Sequence, residues 1–585
     1  MTQLTALPHD EKHPLLARLT VADGLMLAVW LLAGVLRLAD LGYVPLSPAE
    51  AAEAWRVWAF WQPNTAAAPP ASPAYFTLTA LLVPILGSSD TVMRLVPALF
   101  GWAVVALPWL LREKISRWGA LLAALLTAVS PILTASSRTA DGSSMALFAA
   151  GLLAVAYLRR KEGEKWAWTA AAALGLGLGS APLFYTLLAG GIVAVVVHIR
   201  FMNYLAGGNN GRFWKIPVTH WHILITILTF FAANTLFLLY PPGLGSAANI
   251  LAAWLAQFAT TPAIGQIADP FMAIIRYDML LFVLGIPAMI YLTVKLDENA
   301  MWQGALVYWL VAIIVIIALQ GSTLANTQAF ALVGYWLVGV MVYALWQDRL
   351  NSFSFVLAGG FTFLGLAIFV NISRYLRLVT AQPTLLTPLW TAVVLFTLAL
   401  ATLFYLFTFS ETAVYQSLIL SLTALFVFFG WGTAWWLGHN TNDPRERLVT
   451  EGTDTDVRLL TTFMDTLSYQ VARHSDGMAV LSTVESPVLR WYLRDMAQVT
   501  FANGVPFLAD TAVLITPSSQ DSTLPVGTDY IGTPFDLTQS CPNGTAVSTQ
   551  PIIDTLKWWF FQEAPPCSEP SGIIVWLRAD LAEIP

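Results

Sequence analysis

The twelve residues YFTLTALLVPIL, Tyr75 to Leu86, set the topology of everything that follows them. A helix of that length reaches about 18 Å, well short of the roughly 30 Å of hydrocarbon in a bilayer. Together with Ala248 to Phe258, it reads as a re-entrant or interfacial helix, not a span. With both segments set aside, stretches long enough to cross run from Val21 to Ala39, Val92 to Leu111, Trp118 to Ala135, Ser143 to Leu158, Trp166 to Gly179, Leu183 to Ile199 and Trp221 to Leu239. They continue with Phe271 to Val294, Trp302 to Leu319, Thr327 to Trp346, Ser354 to Ile372, Thr387 to Phe407 and Val414 to Leu437, which predicts thirteen transmembrane helices. Loop charges test that count. With the amino terminus inside, fourteen Lys and Arg fall in inner loops, and only Arg56, Arg138, Arg374 and Arg377 in outer loops before the tail. Counting Tyr75 to Leu86 as a span would invert this positive-inside pattern for the next several loops.

Composition agrees. Of 585 residues, 57% are apolar and 11% charged, with 24 Trp, a usage that fits a polytopic α-helical membrane protein and not a soluble one. Beyond residue 438, 18 acids face 8 bases, against 17 acids and 21 bases before it. The expected organisation is therefore a cytoplasmic tail over 1–20, a transmembrane domain over 21–437 and an acidic, extracytoplasmic α/β domain over 438–585. In that last part a helical pattern covers Asp456 to Arg473 and a short helix surrounds Trp491. Strands are expected at Met478 to Ser482, near Val499, at Ala512 to Thr516 and at Ile573 to Leu577. Both cysteines, Cys541 and Cys567, lie there, where an oxidising compartment would allow a disulfide between them.

Charges at the edge of membrane segments are costly and mark candidates for function. In the first outer loop Ser47 and Glu50 have capping-box spacing behind Pro48, so Glu50 reads equally as a cap or a site residue, with Glu53 one turn on. Asp141, after Arg138 in the second outer loop, reads first as an N-cap, but topology puts it on the same face as Glu50. Arg276, Tyr277 and Asp278 place opposite charges inside the eighth span, as a self-neutralising pair or as a polar cluster. Arg374 and Arg377 suit a lipid phosphate, or serve as interfacial anchors. The seven His show no metal-ligand spacing, and no nucleotide loop, nucleophile elbow or nucleic-acid footprint is present.

The run Leu36 to Leu38, Pro45 to Glu50, Leu86 to Asp90, then Arg94, Leu95, Pro97, Ala98 and Gly101, with Ser137, Arg138 and Asp141, resembles the amino-terminal part of GT-C superfamily glycosyltransferases, such as the protein mannosyltransferases and the aminoarabinose transferase. Ser486 to Asp495, with Tyr277 and Asp278, is similar to a prokaryotic subgroup described as flippase-activity-associated. The resemblance implies inverting transfer of a sugar from a polyprenyl-phosphate carrier, the donor substrate, to an acceptor on the outer face of a prokaryotic cytoplasmic membrane. Membrane lipids and that polyprenyl-phosphate lipid are the implied partners. A loop carboxylate, Glu50, Glu53 or Asp141, would deprotonate the acceptor, and Arg138, Arg374 and Arg377 would assist the phosphate. The Asp of the family's Asp-Glu pair corresponds to Ala49, and the usual His-Pro or Lys-Pro is Ser72–Pro73. That departure opens a second reading, a non-catalytic accessory subunit of a membrane complex. A transporter or channel fits less well, because the charges cluster near one face.

Overall fold

The computed structural model describes residues 20–63, 68–205, 219–259, 261–294, 302–320, 324–345, 352–379, 386–449, 451–474, 477–505, 511–518, 529–540, 552–561 and 571–582. Cys541 and Cys567 lie outside them, and with them the expected disulfide.

Helix follows the apolar runs. The first half holds α1 (Val21–Leu38), α2 (Pro48–Phe60), α3 (Pro73–Leu86), α4 (Asp90–Ala106), α5 (Arg112–Val129), α6 (Pro131–Ser137), α7 (Ser143–Leu158), α8 (Lys165–Gly177) and α9 (Pro182–Leu205). After these come α10 (His220–Asn234), α11 (Gly243–Ala256), α12 (Ile264–Tyr277), α13 (Ile286–Val294), α14 (Trp302–Gln320), α15 (Thr327–Leu345), α16 (Ser352–Leu378), α17 (Thr387–Phe407) and α18 (Glu411–His439). Each of the thirteen apolar stretches contains helix. Among the described residues, eight helices are long and apolar enough to cross a membrane, nine if the α12–α13 pair counts as one span. The other predicted stretches end as shorter helices, such as α7, α8 and α10. The two twelve-residue-class segments fold as α3 and α11, both short.

One expectation needs correction. Phe271 to Val294 is not a straight span: α12 stops at Tyr277, a π turn follows at Leu281–Gly285, and α13 leaves at 101° to α12. The break exposes Asp278 to two hydroxyls, from Ser130 Oγ (2.7 Å) and Tyr335 OH (2.6 Å), so a fully buried carboxylate has a donor on each oxygen.

Small residues let helices approach closely. At the α5–α15 crossing, a Cβ on Gly119 would sit 2.5 Å from Gly339 O, and one on Gly339 would sit 2.6 Å from Gly119 O, so neither position tolerates a side chain. In contrast, α16 and α17 are only 11% and 6% buried, which leaves them as a lipid-facing hairpin.

The sheet domain carries β1 (Glu451–Thr453), α19 (Asp456–Ala472), β2 (Ala479–Ser482), α20 (Pro487–Tyr492), β3 (Gln498–Phe501), β4 (Val513–Pro517), β5 (Tyr530–Ser540), α21 (Ile552–Phe561), β6 (Ser571–Arg578) and α22 (Ala579–Ala582). Strand order is β1-β5-β6-β4-β2-β3; β2 runs parallel to β3 and β4, and the other pairs are antiparallel. Its core continues into the membrane domain: Val457, Leu460, Met464 and Trp491 belong to one buried cluster with Ala51, Ala54, Tyr75 and Met93.

Candidate active site

At the end of the bundle that carries the sheet domain, α2 starts with the capping box its sequence announced. Ser47 Oγ accepts from Glu50 N at 3.4 Å, and Glu50 Oε2 accepts from Ser47 N at 2.9 Å. Glu50 does considerably more than cap. Arg94 grips both its oxygens, Nε to Oε1 at 2.8 Å and Nη2 to Oε2 at 2.7 Å, and Ala140 N donates to Oε1 at 2.8 Å. Arg94 spends its remaining donors on Leu41 O, Val44 O and Pro45 O. Both side chains are buried, so the pair locks the 41–47 turn, α4 and the loop before α7 to one another. Burial alone would raise the Glu50 pKa; the Arg94 charge and bonds outweigh it and hold the carboxyl below the usual range. A carboxylate so stabilised and so fully engaged is a poor proton acceptor.

The other two acids are less committed. Glu53 is buried; its Oε1 accepts from Arg56 and from Ala71 N (3.1 Å), and Oε2 meets no donor among the described residues. Burial pushes its pKa up in spite of Arg56. Asp141 is half-buried between α6 and α7, with Oδ1 accepting from Ser143 N at 2.8 Å and Oδ2 from Ser143 Oγ at 3.0 Å. Burial, opposed by the Ser143 bonds and aided by the charges of Glu50 and Glu53, raises it to about 6, so the three acids share one electrostatic neighbourhood. Gly142 seals the join: a Cβ there would lie 2.0 Å from Ser180 O and 2.3 Å from Ser72 Oγ, while Ser72 Oγ donates to Ser180 O at 2.5 Å. The loops around residues 72, 141 and 180 thus meet over α2. Ala49, beside Glu50 in the first turn, is exposed.

The predicted phosphate-side residues fare differently. Arg138 is buried and directs Nε to Gly438 O (3.1 Å), Nη1 to Leu36 O (3.2 Å) and Ala39 O (2.6 Å), and Nη2 to Asp40 O (3.2 Å). It closes the ends of α1 and α18. Arg37 does the same for α5, donating to Thr127 O and Ala128 O at 2.9 Å each. Arg374 and Arg377 are exposed on α16, with Arg377 stacked over Phe561 of α21 at 4.7 Å. The eighth-span residues split into two sets: Asp278 faces Ser130 and Tyr335 as described, whereas Tyr277 OH bonds the buried Glu446 and accepts from Arg447 N at 3.0 Å. Arg276 stacks on the Tyr277 ring at 5.4 Å, and its charge lowers the pKa of Glu446 against the larger effect of burial. Asp278 and Arg276 are therefore not the self-neutralising pair that spacing allowed.

Reading the sequence alone missed Arg94, quoted there only for the resemblance; a charged residue within an apolar segment was the signal available. It also missed Asp90, which accepts from Trp491 Nε1 (2.8 Å) and Tyr492 OH (2.9 Å) and lies 3.6 Å from Arg458. Tyr492 OH in turn accepts from Leu46 N at 2.8 Å, and Thr453 Oγ1 donates to Leu46 O at 2.7 Å. Among the described residues no group of three or more His, Cys, Asp and Glu could hold a metal ion.

A family model described as dolichyl-phosphate-mannose-protein mannosyltransferase matches residues 69–237. The structure of ArnT from Cupriavidus metallidurans bound to undecaprenyl phosphate aligns at a TM-score of 0.54 and 14% identity, covering 95% of this chain and 98% of that one. ArnT from Cupriavidus metallidurans in the apo state aligns at 0.50 and 15%, covering 82% and 86%. No curated protein matches in sequence.

Proposed function

The chain is a multi-pass membrane protein with the GT-C superfamily fold, and from that premise we propose that it transfers a sugar from a polyprenyl-phosphate carrier to an acceptor, with Asp141 as general base. The supporting observation is the division of labour among the acids: Glu50 is tied up by Arg94, while Asp141 keeps a pKa of about 6 beside it. A base is most effective when its pKa lies near the working pH. Asp141 takes the proton of the acceptor hydroxyl as that oxygen attacks the anomeric carbon; the bond to the carrier phosphate breaks, and the lipid phosphate leaves. Glu53 orders Arg56 and the 71–72 loop at the edge of the site. Arg56, Arg374 and Arg377 are assigned to the phosphate in place of Arg138, whose donors serve carbonyls. The polyprenyl-phosphate donor is carried over from the ligand of ArnT. Loop charges support an amino terminus in the cytoplasm with the sheet domain outside, and the likeness to ArnT from Cupriavidus metallidurans supports the cytoplasmic membrane of a prokaryote.

Ala49 favours a second reading, an accessory subunit that keeps the scaffold without the chemistry. Sugar transfer by the purified full chain from polyprenyl-phosphate sugars separates the two. Asp141→Asn is expected to lower the rate by about 100-fold or more while the protein stays folded, melting no lower than wild type. Transfer at the wild-type rate by that variant removes Asp141 from the mechanism, and absence of transfer by the wild type, with partner proteins retained in fixed ratio, supports the accessory role.

A further inference from the structure

A groove with a cavity of about 660 Å³ opens between α7, α8, α9 and α14 at the end of the bundle remote from the sheet domain. Its size lies within the roughly 300–1,000 Å³ of small-molecule sites. The walls are aliphatic and small, with Leu153, Ala154, Leu188 and Gly191 among the lining residues and Trp309 held in place by donating Nε1–H to Leu187 O at 2.9 Å. The mouth is different. Arg160, Lys161 and Glu164 rim it, while the nearby Glu162 is neutralised by Arg159 (2.5 Å) and Lys114 (3.6 Å).

Two buried ring donors reach the same mouth. Trp166 is 9% exposed and His222 is 8% exposed, and neither Trp166 Nε1 nor His222 Nε2 meets a hydrogen-bond partner among the described residues. The backbone N–H of Thr219 donates to His222 Nδ1 at 3.0 Å, so Nδ1 is an acceptor and the ring's N–H donor is Nε2. Arg159 lies over the Trp166 ring at 4.7 Å and Lys165 at 5.8 Å, which orders the indole beside a positive field. Buried donors ordinarily find acceptors. Two of them at the polar lip of an apolar slot, next to Arg160 and Lys161, match one chemistry: an oxygen-rich anionic head joined to a hydrocarbon chain.

We propose that this groove binds an anionic glycerophospholipid, with its phosphate at Trp166, His222, Arg160 and Lys161 and an acyl chain along Leu153, Leu188 and Gly191. The site lies at the far end of the bundle from the candidate active site and does not depend on the transfer chemistry. Titration of the detergent-solubilised full chain with phosphatidylglycerol, phosphatidylcholine and undecaprenyl phosphate, read by native mass spectrometry, tests it. Phosphatidylglycerol is expected to bind about tenfold or more tightly than phosphatidylcholine, and Trp166→Phe with His222→Phe, which keep ring volume, to erase that preference. Gly191→Phe, which fills the slot and keeps both donors, is expected to abolish retention of phosphatidylglycerol. Equal binding of the two glycerophospholipids, unchanged binding in Gly191→Phe, or preferential binding of undecaprenyl phosphate would overturn the assignment.

Discussion

Glu50→Gln is the most informative single substitution, because it separates a structural keystone from a catalytic base. Glu50 accepts from Arg94 twice, from Ser47 N and from Ala140 N, at 2.7 to 2.9 Å, with both partners of the ion pair buried. Removing one member of a buried pair leaves the other charged in a low dielectric, at a cost of about 3–5 kcal/mol. Glutamine keeps one acceptor oxygen and turns an amide NH2 donor against Arg94, so the loss should fall in that range. The double variant Glu50→Met, Arg94→Met avoids the stranded charge. It forfeits the Arg94 bonds to Leu41, Val44 and Pro45, about 1 kcal/mol each, and the two single losses should exceed the double loss by about 2 kcal/mol or more. Denaturant unfolding in detergent, followed by fluorescence, reads these differences. The pH dependence has a definite sign. A carboxyl whose folded pKa is depressed contributes in full above its unfolded value and loses that contribution as pH falls through the folded value. The wild-type advantage over Glu50→Gln should therefore be level from about pH 8 to about pH 5 and shrink below. A Glu50→Gln protein within about 0.5 kcal/mol of wild type that no longer transfers sugar would refute the keystone assignment and restore Glu50 to the chemistry.

Asp141 behaves in the opposite sense. Its folded pKa of about 6 exceeds the ordinary 3.8, so stability falls as pH rises between those values, and Asp141→Asn should melt higher than wild type above pH 6. Asp90→Ala strips acceptors from Trp491 and Tyr492; limited proteolysis and hydrogen exchange should show α20 loosened by about 1–3 kcal/mol per stranded donor. Trp491→Ala, at a fully buried indole, should cost about 3–5 kcal/mol and lower the melting temperature accordingly. Tyr335→Phe leaves Asp278 with one donor. The expected loss is about 1–3 kcal/mol, and an unchanged melting temperature would remove that bond from the account.

What the sequence made legible was local. The Ser47–Glu50 box, the turn in which Asp141 accepts from Ser143 just ahead of the α7 cap at Gly142, the short α3 and α11, and strands β2, β3, β4 and β6 all rest on spacing within a few residues or on apolar runs. β1 and β5 were missed because β1 has three residues and β5, with Gly532 and Pro534, is mostly half-buried or exposed and lacks an apolar face. The partners of the charged groups were beyond reach for a different reason. Asp278 meets Ser130 and Tyr335 across 148 and 57 residues, and Arg138 meets Gly438 across 300. Spacing offered Arg276 as the neighbour of Asp278, but residues two apart on a helix do not face each other, and after the break at Tyr277 Asp278 faces Ser130 and Tyr335 instead. No short-range signal marks that break, since Pro270 lies two turns earlier.

The bond from Leu46 N to Tyr492 OH joins residues 446 positions apart, and the turn it secures is the one that Arg94 and Glu50 lock. A ribosome adding roughly 5–20 residues per second needs about 20–90 s to make that second partner after the first. Throughout this interval the nascent chain carries α2 and its acids without the domain that holds them in register. Premature termination between α18 and α20 would therefore leave an inserted bundle without the bonds of Tyr492 and Trp491 to Leu46 and Asp90, and α20, made long after α2, doubles as the checkpoint for the first loop.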